Sequence, residues 1–272
     1  MNGSLQEITL RRDHTAVTIA PERGAIVTSF RVQERELLYL DQATVNDRSK
    51  NVRGGVPILF PSPGKLQDDR FSRANKQGEL KQHGFARNLA WRVDEANEAR
   101  ARLTLDSNDA TLRDYPWRFV ITLELEVMAR AFAMRFAITN RDETAMPFAL
   151  GLHPYFVVND KARASVPTEA TQAFDNVAKR VVPFRAFDFT QGEVDMHLMD
   201  HHSSRATLEL GDHTITIEAS PEFARWVIWS VPGKEFICLE PWTAPGNALN
   251  TGDGIITLAP GERRELWVKF SA

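Results

Sequence analysis

Apolar and polar residues alternate with a period of two in one segment of this chain after another, and that pattern restricts what it can fold into. Arg102-Leu103-Thr104-Leu105 alternates, as do Phe119 to Met128 (FVITLELEVM) and Phe132 to Thr139 (FAMRFAIT). The same pattern marks Ala206 to Leu210, Thr214 to Ala219, Trp226 to Val231, Glu235 to Leu239 and Glu265 to Phe270. Side chains in a strand point alternately to opposite faces, so each segment reads as a strand with one face buried. Turn formers separate them: Tyr115-Pro116, Asn140-Arg141-Asp142, Gly211-Asp212, Pro232-Gly233 and Pro260-Gly261. A helical reading can be argued only for Asp41 to Lys50 and Asp94 to Ala101, and neither carries a strong apolar stripe. The expected class is all-β: a large antiparallel β-sandwich with long loops at an open face. No linker, charge block or fixed-period repeat divides the sequence, and 272 residues are within reach of one all-β unit, so residues 1–272 are expected to form a single domain.

Composition narrows the function classes. Lys plus Arg number 33 against 36 for Asp plus Glu, giving a net charge of −3, so neither nucleic acid nor an anionic membrane surface is an expected partner. The longest apolar runs, Val56 to Phe60 and Ala145 to Leu152, are far too short to span a bilayer. A single cysteine, Cys238, excludes an internal disulfide and a zinc site built on several cysteines. Met1 to Leu10 (MNGSLQEITL) does not join a basic start to an apolar stretch, so no cleaved secretion signal is expected and the cytoplasm is the expected compartment. Common nucleophile and phosphate motifs are missing. There is no Gly-x-Ser-x-Gly elbow, Gly64-Lys65 is not set in a phosphate loop, and Gly252-Asp253-Gly254 lacks the third glycine of a dinucleotide fingerprint.

Four stretches concentrate chemistry-bearing residues. Asp195, His197, Asp200, His201 and His202 are dense enough to suggest a metal site, but no helical His-x-x-x-His frame accompanies them and a solvated loop collects the same residues. No metal is expected. The others are Gln82-His83-Gly84-Phe85-Ala86-Arg87, Gly151-Leu152-His153-Pro154-Tyr155-Phe156 and Cys238-Leu239-Glu240-Pro241-Trp242. Each has an ordinary structural explanation as a strand end or a core edge. Each also places a titratable group beside aromatic rings, as a binding loop would.

Taken in order, these stretches resemble the aldose 1-epimerase (mutarotase) family and its hexose-6-phosphate mutarotase relatives. The resemblance runs through Arg53-Gly54-Gly55-Val56-Pro57 with Phe60-Pro61, His83-Gly84-Phe85-Ala86-Arg87 with Trp91, and Leu152-His153-Pro154-Tyr155-Phe156. It continues through Asp195, Leu239-Glu240-Pro241-Trp242 with Asn247, and Leu258 to Glu262 (LAPGE). It implies a galactose mutarotase-like supersandwich whose groove binds a small-molecule sugar and interconverts its α and β anomers without a cofactor. It implies His153 as general acid and Glu240 as general base, with Arg53, His83, Arg87 and Asp195 binding hydroxyls or a phosphate. The chain departs from the phosphate-preferring relatives at Pro61-Ser62-Pro63-Gly64-Lys65, where they carry an aromatic residue before that glycine.

Mutarotation takes a proton from the anomeric hydroxyl and gives one to the ring oxygen, which asks for a carboxylate and an imidazolium rather than a metal. Glu240 is expected to lie against Trp242 and apolar groups that raise its pKa, and His153 to be held charged by acidic neighbours. Phe85, Tyr155 and Trp242 are expected as flat faces for the sugar. The assembly is expected to be a monomer or a homodimer. Two other readings use the same residues: a sugar-binding module without turnover, and a glycoside hydrolase with Glu240 and Asp195 as its carboxylate pair.

Overall fold

Strand Phe119–Met128 buries every second side chain from Phe119 to Val127, while the residues between them stay partly or fully exposed. In this computed structural model, which describes residues 5–272, the same rule builds one face of a seven-stranded antiparallel sheet. Its order is Arg205–Glu209, Thr214–Ala219, Arg263–Ser271, Ala131–Asn140, Phe119–Met128, Arg100–Asp106 and Arg92–Ala96. The outward face of that sheet carries cross-strand ion pairs, including Arg102 to Glu124 at 2.6 Å and Arg135 to Glu126 at 2.8 Å. Such exposed pairs add little stability, but they keep the face wet.

The opposing layer is an eight-stranded sheet ordered Arg180–Pro183, Gln172–Asp175, Val194–Leu198, Arg225–Ser230, Phe236–Trp242, Gly151–Leu152 and Ile58–Leu59, with Tyr155–Val157 also pairing on Phe236–Trp242. A four-stranded sheet of Ile8–Arg12, Thr15–Ala20, Ile26–Val32 and Arg35–Glu36 completes the scaffold. One continuous apolar core joins side chains of all three sheets. Aromatic rings tie it together: Phe132 stacks on Phe270 at 4.7 Å, Phe30 meets Phe132 edge-on at 4.8 Å, and Phe60 meets Phe119 at 5.2 Å. The all-β sandwich expected from the alternation is the observed fold. Among the described residues no helix is long and apolar enough to cross a membrane.

Local expectations fared unevenly. Asp94 to Ala101 is no helix: it is the end of one strand, a turn and the start of the next, and the Asn97 carboxamide closes the turn by accepting from the amides of Ala99 and Arg100. Within Asp41 to Lys50 only Gln42–Val45 is helical, capped by Asp41. A further short helix, Asp109–Asp114, starts with a reciprocal cap between Asn108 and Thr111. The strand expected to stop at Leu239 runs on through Trp242. Pro241 is tolerated there because the neighbouring chain leaves the ladder at that point: Tyr155–Val157 pairs as far as Cys238, and pairing resumes only at Gly151 with Trp242.

Phe60 is fully buried and touches the rings of Phe85, Tyr115, Phe119 and Phe148. Phe60→Ala is expected to cost about 3–5 kcal/mol in denaturant unfolding, with an unchanged denaturant slope.

Candidate active site

The face of the eight-stranded sheet turned away from the core is the floor of a groove of about 390 Å³. Strand parity decides what it contains. On Phe236–Trp242, Ile237 and Leu239 enter the core, so Cys238, Glu240 and Trp242 point the other way. Register then lines up rows across the strands. Asp195 lies beside Trp229, Trp229 beside Cys238, and Cys238 beside Tyr155. In the next row His197 lies beside Val227, and Val227 beside Glu240. Gly151 opposite Trp242 and Tyr155 opposite Cys238 are two points of one continuous register, so the residue that falls opposite Glu240 is His153. His153 Nε2 lies 3.4 Å from Glu240 Oε1, in the interval where the backbone ladder between the two chains is open.

Loops bring the remaining groups over the edge. His83 has a left-handed backbone (φ +72°), and its ring Nδ1 is hydrogen-bonded to the Pro63 carbonyl. Gly84 follows at φ +65°, and a Cβ there would lie 2.1 Å from the Phe60 carbonyl oxygen, so only glycine lets this loop lie against the sheet. Arg53 is positioned from behind. Buried Arg23 donates to the carbonyls of Thr44, Asp47 and Lys50 at 3.1, 3.3 and 3.0 Å, and Thr44 Oγ1 accepts from the Arg53 amide at 2.9 Å. The Arg53 guanidinium then lies over the Trp229 ring, 5.6 Å from its centroid. Arg87 donates to the Gln82 carbonyl, and its buried Nε has no partner. Asp195 accepts from Asn176 Nδ2 at 2.6 Å, and Glu193 accepts from Trp229 Nε1 at 2.9 Å.

Burial governs the electrostatics. Glu240 is 1% exposed; burial, and then the charge of Asp195, push its carboxyl well above the ordinary value, against one opposing hydrogen bond of 3.1 Å from Trp242 Nε1. His153 is pushed well below its ordinary value by burial and by the cationic side of the groove, His83, Arg87 and Arg53. Its ring stacks on Tyr155 at 4.7 Å and meets Trp229 edge-on at 5.7 Å. Burial lowers His83 to about 3 and His197 to about 4, while Asp195 is raised. The buried setting expected for Glu240 is present. The charged His153 expected from acidic neighbours is not favoured, because its surroundings are apolar and mostly cationic.

All six residues singled out in the sequence, Arg53, His83, Arg87, His153, Asp195 and Glu240, line this groove. Phe85 does not: it stacks on Phe119 toward the core, and Trp229 supplies an aromatic face instead. Lys81, Asn176, Glu193 and His197 also line the groove without having been assigned to a sugar site. The alternation of Asp195 with His197 is the only sequence signal that joins any of them. The dense run from Asp195 to His202 is split by the fold. Asp195 and His197 face the groove, Asp200 accepts from Thr171 and Gln172, and His201 is hydrogen-bonded to Thr168 and the Arg205 carbonyl. The donor atoms of His153, Cys238 and Glu240 lie within 4.8 Å of one another, a set that zinc accepts, yet burial pushes both the Cys238 thiol and the Glu240 carboxyl toward their neutral, non-ligating forms.

The β-sandwich that carries this groove is the fold of solved galactose mutarotase-like proteins. Residues 6–271 match the family model for aldose 1-epimerase, and the chain belongs to that family; it is an isomerase of the mutarotase type. The Slr1438 protein from Synechocystis is 33% identical with a TM-score of 0.95, the match covering 99% of this chain and 96% of that one. A galactose mutarotase-like protein from Lactobacillus casei, 24% identical over 98% of this chain and 99% of its own, shares the fold with a TM-score of 0.78. A Cenchrus ciliaris protein provisionally named glucose-6-phosphate 1-epimerase is 24% identical, over 99% of this chain and 85% of its own length.

Three histidines kept neutral by burial have a consequence for stability. Each has a folded pKa below its unfolded value of 6.5, so unfolding takes up protons as the pH falls below 6.5, and native stability drops with it. The thermal midpoint is expected to fall between pH 6.5 and 4, and His197→Asn is expected to flatten that decline relative to wild type.

Proposed function

We propose that this groove catalyses ring opening and reclosure of an aldose, with His153 and Glu240 as the proton-transfer pair, and that the preferred aldose carries a phosphate. The observation that carries the first part is the buried pair, opposed in register at 3.4 Å. The anomeric hydroxyl oxygen and the ring oxygen share one carbon. Two side-chain atoms one hydrogen-bond length apart can therefore address both of them at once.

The balance is simple. With Glu240 ionised and His153 protonated, Glu240 takes the proton of the anomeric hydroxyl while His153 Nε2 gives its proton to the ring oxygen. The bond from C1 to the ring oxygen breaks, leaving an aldehyde, a protonated Glu240 and a neutral His153. Rotation about C1–C2 presents the other face of the carbonyl, and closure returns both protons by the reverse transfers. The pair holds the same number of protons throughout. Burial disfavours the charged pair relative to the neutral one, so proton transfer to and from the sugar relieves an unfavourable charge separation. Tyr155, Trp229 and Trp242 offer apolar faces for the sugar's C–H surface, and Asp195 with Asn176 offers partners for its hydroxyls.

The phosphate preference rests on the charge of the lining. Arg53, Lys81 and Arg87 border the groove, Arg87 keeps an unpartnered buried Nε, and guanidinium groups take phosphate oxygens in bidentate fashion. The provisional name of the Cenchrus relative points the same way.

Exchange between anomers can be followed by polarimetry or by NMR line exchange. His153→Ala and Glu240→Gln are each expected to lose at least about two orders of magnitude. The pH profile of kcat/KM should be bell-shaped. Its acid limb should lie below the ordinary imidazole value of 6.5, where His153 gains a second proton, and its alkaline limb above the ordinary carboxyl value of 4.5, where Glu240 loses its own. Failure of the wild type to exceed the spontaneous rate with both glucose and glucose 6-phosphate would refute the assignment. Arg87→Ala is expected to raise KM for glucose 6-phosphate by about tenfold and leave KM for glucose nearly unchanged; equal effects on the two would refute the phosphate preference.

A further inference from the structure

Glu193 lines the groove but takes no part in the proton transfers, and as a charge it is badly placed. A carboxylate at the rim of a groove lined by Arg53, Lys81 and Arg87 repels the anion that those cations attract. Its contact is with a ring instead: Glu193 Oε1 accepts from Trp229 Nε1 at 2.9 Å. The sheet brings the two together, since Asp195 lies opposite Trp229 and Glu193 stands just before the same strand, two residues from Asp195.

Several parts of the groove meet at Trp229. Its indole packs on Phe236 at 5.3 Å and meets His153 and Tyr155 edge-on at 5.7 and 6.0 Å. The Arg53 guanidinium lies over its face, 5.6 Å from the centroid. Arg53 is exposed; the Thr44 hydroxyl fixes its amide, and the Trp229 ring carries its guanidinium. An indole has two orientations about its second side-chain torsion, roughly a half-turn apart, that fill much the same space. Its N–H can only donate, so an acceptor on one side selects between them. Glu193 is that acceptor.

We propose that Glu193 is a positioning residue for the substrate's phosphate: by fixing the Trp229 indole it fixes the surface on which the Arg53 guanidinium lies, although its own charge opposes the ligand. The inference rests on the phosphorylated-aldose reading above. One side chain thus has two effects of opposite sign. Its field weakens phosphate binding, and its hydrogen bond strengthens it. The field of an exposed carboxylate is screened over about 8 Å at physiological salt, whereas a ring held in contact is not, so the hydrogen bond outweighs the charge. Glutamine keeps an acceptor and loses the charge; alanine loses both.

Anomeric exchange is measured for glucose 6-phosphate and glucose, at about 0.15 M salt, with wild type, Glu193→Gln, Glu193→Ala, Arg53→Ala and the double variant Glu193→Ala/Arg53→Ala. Glu193→Ala is expected to raise KM for glucose 6-phosphate about tenfold and leave kcat within about twofold. Its glucose exchange is expected to stay within about twofold of wild type, which also shows the variant to be folded. Glu193→Gln is expected to have a KM for glucose 6-phosphate no higher than that of wild type. In the Arg53→Ala background, Glu193→Ala is expected to raise KM no further, because the guanidinium it positions is gone. The inference is refuted if Glu193→Ala leaves KM unchanged or lowers it, if Glu193→Gln raises KM as much as Glu193→Ala, if the rise persists without Arg53, or if kcat falls while KM holds. In each of those cases the wild type still exchanges anomers, and the mutarotase reading stands. Arg53→Ala without effect on KM for glucose 6-phosphate overturns both the inference and the part of Arg53 in binding phosphate. Wild type that accelerates exchange of neither sugar overturns the inference and the mutarotase reading together.

Discussion

The register between Phe236–Trp242 and the chain around His153 is the constraint on which the site depends. Two prolines, Pro154 and Pro241, cannot donate to a ladder, and the pairing opens just where they sit. Register is nevertheless kept across the gap by Gly151 on one side and Tyr155 on the other. His153 and Glu240 are thus cross-strand neighbours whose side chains are fixed by sheet geometry, while the backbone between them is freed from the usual pairing. A pair held by sheet register on either side is fixed more rigidly than one set on free loops.

The cost of this placement is that both titratable groups are out of water. The protein offsets it sparingly: Trp242 supplies one hydrogen bond to Glu240, and His153 Nδ1 has no partner at all. An apolar shell with few donors favours the neutral form of the pair over the charged one. Around that shell the loops are pinned by buried groups that never reach the groove floor. Arg23 gathers three carbonyls behind Arg53, and Gly84 presses the His83 loop against Phe60.

Much of the scaffold was legible in the sequence because alternation is a local property. FVITLELEVM declares its buried face without reference to any partner, and the strand Phe119–Met128 has those same bounds. The strand through Glu240 was cut short because Pro241 reads as a breaker until the neighbouring gap is known. The reciprocal cap of Asn108 and Thr111 was present in the sequence, but the helix it starts is too short to show a stripe. For the site, motif order indicated six residues, and the groove contains all six. The contributions of Trp229 and Asn176 were not legible, since they follow from which strand lies beside which, and that of His197 was signalled only by its alternation with Asp195. Neither was the exclusion of Phe85 or the preference for a neutral His153, both of which depend on packing around the side chain.

The open interval beside Glu240 also bears on which insertions and deletions this scaffold can survive. A side chain's face is set by its parity along the strand, so one residue added or removed between Gly151 and Tyr155, or between Cys238 and Trp242, would turn His153 or Glu240 into the core. The loop at Gly192 and the hairpin tip at Gly233, where an added Cβ would meet nothing within 4 Å, carry no such penalty. Length variation in descendants of this chain should therefore collect at those two places, with the proline-broken stretch of sheet kept at fixed length although one of its ladders is interrupted.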